Sequence, residues 1–83
     1  SNRHEGLREE VARFITLARR MQAEAVAREL AQRGVDTGPL TPTAAVFLIS
    51  CISLIMGKEA ASGVTEGHDD VRALLSWAFS RLG

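Results

Sequence analysis

The most constraining feature of this 83-residue chain is an apolar run over residues 44–56, interrupted only by Ser50 and Ser53. A helix built from this run is hydrophobic on all sides, so it must be covered on more than one face. A single domain of this length is near the lower limit for a self-sufficient core, and oligomerisation often compensates. We therefore expect the helix to be shared, with one face packed within its own subunit and another against a second copy.

Both ends of the run carry helix-boundary signals. Thr41 is a suitable N-cap, Pro42 suits the first helical position, and Gly63 can take the left-handed conformation that often ends a helix. These signals predict a helix over residues 42–62. The run is bounded by Pro42 and Lys58 and is shorter than the roughly 20 residues that span a bilayer. We expect a cytoplasmic protein with no membrane contact.

The side chains of this helix separate by size at about 100° per residue. The small side comprises Val46, Ser50, Ser53, Gly57, Ala60 and Ala61. The large side comprises Phe47, Leu48, Cys51, Ile52 and Ile55. The small side favours close approach of another helix, whereas the large side would fill a wider gap.

A long helix is predicted over residues 3–33, with Gly34 in a suitable position to end it. Apolar residues at spacings of three and four predict one packed face along it. This face comprises Leu7, Val11, Phe14, Ala18, Met21 and Ala25. Residues 35–40 are rich in turn formers, and so short a connection predicts an antiparallel hairpin with the apolar helix.

The last helix is predicted over residues 66–82, with Thr65 as its N-cap. Its apolar stripe comprises Val71, Leu74, Leu75, Ala78 and Leu82. Trp77 falls more than about 90° from the centre of this stripe. Trp77 therefore either lies over Leu74 and Arg81 on the surface or contacts a partner.

Together these patterns predict an all-α fold in one domain, residues 1–83. We expect a three-helix antiparallel fragment that forms a homodimer through a four-helix bundle. The predicted dimer contacts are Ser50, Ser53, Gly57, Ala61, Leu74, Trp77, Ala78 and Arg81.

The sequence contains no recognisable catalytic, metal or phosphate motif. His4 and His68 stand alone, without the spacing of a helical metal pair, and we expect His68 to pack or cap locally. Cys51 can form no disulfide within the chain and is expected to be a buried small hydrophobe. Ten basic and ten acidic residues balance, which gives no electrostatic reason to expect nucleic acid as a partner. We expect no enzyme, cofactor or metal.

The chain resembles the C-terminal portion of TetR-family transcriptional regulators. The resemblance rests on residues 33–35, on Leu40 to Pro42, and on the junction and final helix that read GVTEGHDDVRALLSWAFSRLG. It implies an effector-binding and dimerisation domain in an all-helical homodimer, in which the last two long helices of each subunit form a four-helix bundle. It also implies a helix-turn-helix that reads operator DNA from an N-terminal domain, which these residues do not contain.

The implied mechanism is a population shift, in which a small apolar effector favours an arrangement of the dimer whose two DNA-reading heads no longer match adjacent major-groove sites. The candidate effector contacts are Phe14, Leu17, Met21, Phe47 and Cys51. Each of them is also the expected filling of a helical core. The alternative is a free-standing helical module that binds or dimerises with a protein partner, and an enzyme on a helical bundle ranks third.

Overall fold

A computed structural model describes residues 2–82, and the side chains of residues 3–81 within them. It contains three α-helices: α1 (Asn2–Arg33), α2 (Pro42–Ala61) and α3 (His68–Leu82). No strand occurs among the described residues. The chain is therefore all-α. The predicted contribution of Leu82 to the α3 stripe concerns a side chain outside the described set.

The ends of α1 and α2 follow from local sequence. The Thr41 side chain accepts a hydrogen bond from the Ala44 N–H at 3.1 Å, and Pro42 occupies the first turn. Gly63 has φ 79° and donates to the Ala60 carbonyl, while the next N–H, that of Val64, reaches the Glu59 carbonyl at 2.8 Å. This pair of bonds is a Schellman motif, which satisfies carbonyls that the helix leaves unpaired.

The same motif ends α1, where Gly34 has φ 64°. Its N–H bonds to the Ala31 carbonyl at 3.2 Å, and the Val35 N–H bonds to the Leu30 carbonyl at 3.0 Å. The N-cap prediction for α3 is wrong. The His68 N–H bonds to the Thr65 carbonyl at 3.1 Å, and Gly67 has φ 80°, so these residues form a turn that delays the helix to His68.

The main packing contact lies between α1 and α2. On α1 the covered face is centred on Ala23, which is 9% exposed, with Val26 and Leu30 half-buried beside it. On α2 the buried residue is Val46.

The predicted packed face of α1 is not the one that the chain buries. Of its six residues only Ala18 is half-buried, and the other five are exposed. At helical spacing the predicted stripe lies about 130° away from the buried face. The sequence therefore identifies an apolar face on α1 that the chain itself leaves open.

The start of α2 lies beside the middle of α1. Thr43 lines one surface depression with Thr16 and Arg20, and the Arg19 guanidinium carbon lies 4.8 Å from the centroid of the Phe47 ring. At about 1.5 Å per residue, Arg19 is about 21 Å along α1 from Arg33. The connection over residues 34–41 therefore runs back along α1 before α2 begins.

The third helix joins the far ends of the other two. His68 and Val71 share a cleft with Ile52 and Met56 of α2. At the other end of α3, Phe79 shares a groove with α1 residues that include Ala25, Val26 and Leu30. The three helices thus meet pairwise at three different places.

The resulting shape is flat and open, with extents of 49 × 38 × 17 Å. Its radius of gyration is 16.3 Å, against about 12 Å for a compact domain of this length. Its accessible surface is 6888 Å², about 2,000 Å² more than a typical monomer of this mass exposes. The chain alone does not enclose a hydrophobic core.

Candidate interaction surface

The candidate functional site is the apolar surface that the three helices leave uncovered. On α2 it includes an outer large face, which we define as Phe47, Leu48, Cys51, Leu54 and Ile55. Leu54 is 64% exposed and Ile55 is 55% exposed. Soluble monomers rarely leave contiguous apolar surface of this kind in water, and such surfaces usually mark interaction sites.

Two sequence expectations about this face differ from the structure. Cys51 is exposed rather than buried, because at helical spacing it lies about 140° around α2 from Val46, the residue that α2 buries. Of the predicted large side, only Ile52 turns inward and is half-buried. Within one chain, the large side chains of α2 other than Ile52 are therefore not buried between helices.

The predicted dimer contacts on α2 are also uncovered. Ser50, Ser53, Gly57 and Ala61 are all exposed, and an ideal Cβ added at Gly57 would meet no atom within 4 Å. These four residues form the small face of α2.

On α3, three of the four predicted contacts share one exposed side. Leu74 is 59% exposed and Trp77 is 55% exposed, and the Arg81 guanidinium carbon lies 4.9 Å from the Trp77 ring centroid. The fourth, Ala78, is half-buried on the inner side with Val71. Trp77 thus lies on the surface of the single chain beside Arg81, a position that both sequence alternatives allow.

The candidate effector contacts do not meet within the chain. Phe14 is 73% exposed, and Leu17 and Met21 are exposed on the same side of α1, turned away from α2. Phe47 instead lies next to Arg19. Leu17 lines a shallow surface depression whose other lining residues all belong to α1.

Sequence reasoning missed the polar contact that joins α2 to α3. The His68 Nε2 lies 2.9 Å from the Glu59 Oε1, and His68 is only 3% exposed. The expectation that His68 packs locally is consistent with this position, but its partner lies nine residues away. The sequence does contain a signal for this contact. Glu59 lies in the last turn of α2 and His68 follows a glycine-containing turn, so the two side chains can meet.

Other ion pairs do not tie helices together. Among the described residues, Arg13 pairs with Glu10, Arg33 with Glu29 and Arg72 with Asp69, each within one helix and exposed. Such pairs contribute little to stability. The described residues contain no cluster of three or more acidic, histidine or cysteine side chains suited to a metal ion.

The helix α2 also meets the length and composition expected of a membrane span. It has 20 residues with a mean hydropathy of 1.7 in its most apolar window, which differs from the sequence estimate of a run too short to span. The core helix of a soluble protein or a signal sequence meets the same criteria, so this observation alone assigns no compartment.

Comparison of the chain with models of known protein families, with curated proteins and with solved structures finds no match.

Proposed function

We propose that this chain is the dimerisation and effector-sensing part of a TetR-like transcriptional regulator, with DNA binding supplied by an N-terminal domain. The observation that carries the proposal is the uncovered apolar surface of α2 and α3. A second copy of the chain is the partner that this surface would meet.

The area supports self-association. Each chain exposes about 2,000 Å² more than a compact monomer of its mass, so two chains together have about 4,000 Å² to cover. Obligate dimer interfaces bury about 2,000–5,000 Å² in total. One symmetric contact between two copies would therefore account for the excess.

In the proposed dimer, α2 and α3 of each subunit pack antiparallel across a two-fold axis as a four-helix bundle. The small face of α2 allows close approach, and Trp77 with Leu74 supplies the large side chains. Aromatic residues and Arg are the side chains most enriched at such contacts. A contact across a two-fold axis uses the same surface patch on both copies. One face of the α2–α3 pair can provide such a patch.

The effector part of the proposal comes from the TetR resemblance. A small apolar molecule would bind the two arrangements of the dimer with different affinity, because equal affinity shifts no population. Five residues are its candidate contacts, and all are exposed in the single chain: Phe14, Leu17, Met21, Phe47 and Cys51.

Two experiments test this function. The reading frame upstream of Ser1 should encode a helix-turn-helix, and the protein with that segment should bind operator DNA as a dimer. A frame without such a segment favours the alternative, a free-standing helical module whose partner is a protein. Both functions require the apolar surface, but only the first requires the upstream segment.

A further inference from the structure

The open side of α3 carries a row of four exposed residues at spacings of four, three and four, which places them on one face of the helix. We call this row the α3 stripe, and its members are Asp70, Leu74, Trp77 and Arg81. At helical spacing the stripe lies about 100° around α3 from the inner side, where Val71 is half-buried. The stripe is therefore open to another molecule along most of the helix.

The order of residues along the α3 stripe is self-complementary. An acid stands at its first position and a base at its last, with two large apolar side chains between them. The spacing is the same in both directions, about a midpoint between residues 75 and 76. When a second α3 lies antiparallel with that midpoint shared, each Asp70 faces an Arg81 and each Leu74 faces a Trp77.

The two charges of the stripe differ from their neighbours on α3. Asp69 pairs with Arg72 at 3.2 Å on the other side of the helix. Within the part of the chain whose side chains are described, neither Asp70 nor Arg81 takes part in an ion pair. The Arg81 guanidinium carbon lies 4.9 Å from the Trp77 ring centroid, so the cation stays on the stripe. Both charges are thus available to a partner.

We propose that the α3 helices of two copies pair antiparallel through the α3 stripe, with the two-fold axis opposite the midpoint between residues 75 and 76. Asp70 of each copy then faces the partner's Arg81, and Leu74 faces the partner's Trp77. This inference rests on the proposed self-association and gives the register of its α3 contact.

The self-complementary order is the observation that points to a second copy. A covering helix of different sequence would need a base, two apolar residues and an acid at matching positions, whereas a two-fold axis supplies all of them from one stripe. Opposite charges at the edge of a contact determine register and exclude wrong pairings more than they add affinity. A parallel pair would place Asp70 against Asp70 and Arg81 against Arg81, so the charges select the antiparallel arrangement.

The helix dipole favours the same two charges for a different reason. Acids are stabilised in the first turn of a helix and bases in the last turn, with or without a partner. The two explanations differ when the charges are exchanged. The dipole makes each exchange unfavourable and the two together worse, whereas a contact between Asp70 and the partner's Arg81 makes the second exchange cancel the first.

Single and double exchanges of charge test the register. Asp70→Arg and Arg81→Asp should each raise the dimer dissociation constant about fivefold or more, because each places like charges at both symmetry-related contacts. The double variant should return the dissociation constant to within about twofold of the original, because opposite charges face each other again. Sedimentation equilibrium measures association, and circular dichroism measures helix content.

The matched control is Asp69→Arg. It makes the same exchange in the same turn of α3, but Asp69 lies off the stripe and pairs with Arg72 of its own chain. Its effect on the helix dipole should equal that of Asp70→Arg, so the two variants should have the same helix content. Its dimer dissociation constant should stay within about twofold of the original.

A mixture of the two single variants provides a second readout. In a dimer of one Asp70→Arg chain and one Arg81→Asp chain, both contacts join opposite charges. The mixture should therefore associate more tightly than either variant alone. At about 1 M salt the Debye length is about 3 Å, so this difference should shrink.

The outcomes separate this inference from the proposed function. The antiparallel register is overturned, and self-association kept, if the protein is a dimer that neither single variant weakens, that Asp69→Arg weakens equally, or that the double variant fails to restore. A folded monomer at all concentrations overturns both.

Discussion

The Nε2 atom of His68 lies 2.9 Å from the Oε1 atom of Glu59 and joins the start of α3 to the end of α2. His68 is almost completely buried, whereas the Glu59 side chain is 44% exposed. Removing either partner leaves the other without its hydrogen bond. The pair thus fixes the junction that orients α3.

We predict that His68→Ala lowers the free energy of unfolding by about 1–3 kcal/mol, through loss of the hydrogen bond and of buried side-chain volume. Urea unfolding at one fixed protein concentration measures the change. Asp69→Ala is the matched control, because the Asp69 side chain is fully exposed and pairs only with Arg72; it should change stability by less than about 0.5 kcal/mol. If the two variants lowered the free energy of unfolding equally, the contact between His68 and Glu59 would not stabilise the fold.

Substitutions at two glycines, Gly57 and Gly63, distinguish effects on dimer association from effects on folding. Gly57→Leu adds a side chain where the single chain has open space, so the monomer should keep its helix content. In the dimer the same side chain meets the partner's α2 and should raise the dissociation constant about tenfold or more. Circular dichroism and sedimentation measure the two effects. Unchanged association would exclude the small face of α2 from the dimer contact.

Gly63→Ala is expected to act in the opposite way. Gly63 has φ 79° in the motif that ends α2, and a left-handed conformation costs a residue with a Cβ about 1–2 kcal/mol. The free energy of unfolding should fall by that amount, with association changed only as much as folding is. If Gly63→Ala were neutral, the end of α2 would have another conformation in solution.

The only tryptophan of the chain reports on the α3 contact. Trp77 is 55% exposed in the single chain, so its fluorescence emission should shift to the blue as protein concentration rises and the dimer forms. Trp77→Phe should weaken association by less than Trp77→Ala, because part of the aromatic area is kept. An emission maximum that stays at the solvent-exposed position across the concentration range would remove Trp77 from the interface.

Membrane association provides a further check on α2. The dimer should not float with liposomes of neutral phospholipid in a density gradient, since a second copy would cover the apolar surface. Flotation that Leu54→Glu abolishes would show that α2 inserts in a bilayer instead.

Local features of the fold could be predicted from the sequence, whereas the packing partners could not. Thr41 and Gly34 act within one turn of their own helix, so neighbouring residues determine their roles. The Thr65 N-cap prediction is wrong because Gly67, with its positive φ, forms a turn that precedes the helix. The start of a helix depends on hydrogen bonds between residues three or four positions apart.

The face of α1 that packs shows the limit of periodicity. The stripe that includes Leu7 and Phe14 has the larger side chains, but the chain packs α1 through Ala23 and Val26 instead. Periodicity identifies a face that must be covered, but it does not say which molecule covers it. The same limit applies to the effector candidates, since Phe14 and Cys51 lie on surfaces that one chain does not bring together.

Sedimentation equilibrium at micromolar concentration tests the central claim most directly. The 9.0 kDa chain should sediment as a species of twice that mass and should dissociate on dilution. A helical, folded species with the mass of one chain throughout the concentration range would contradict the account.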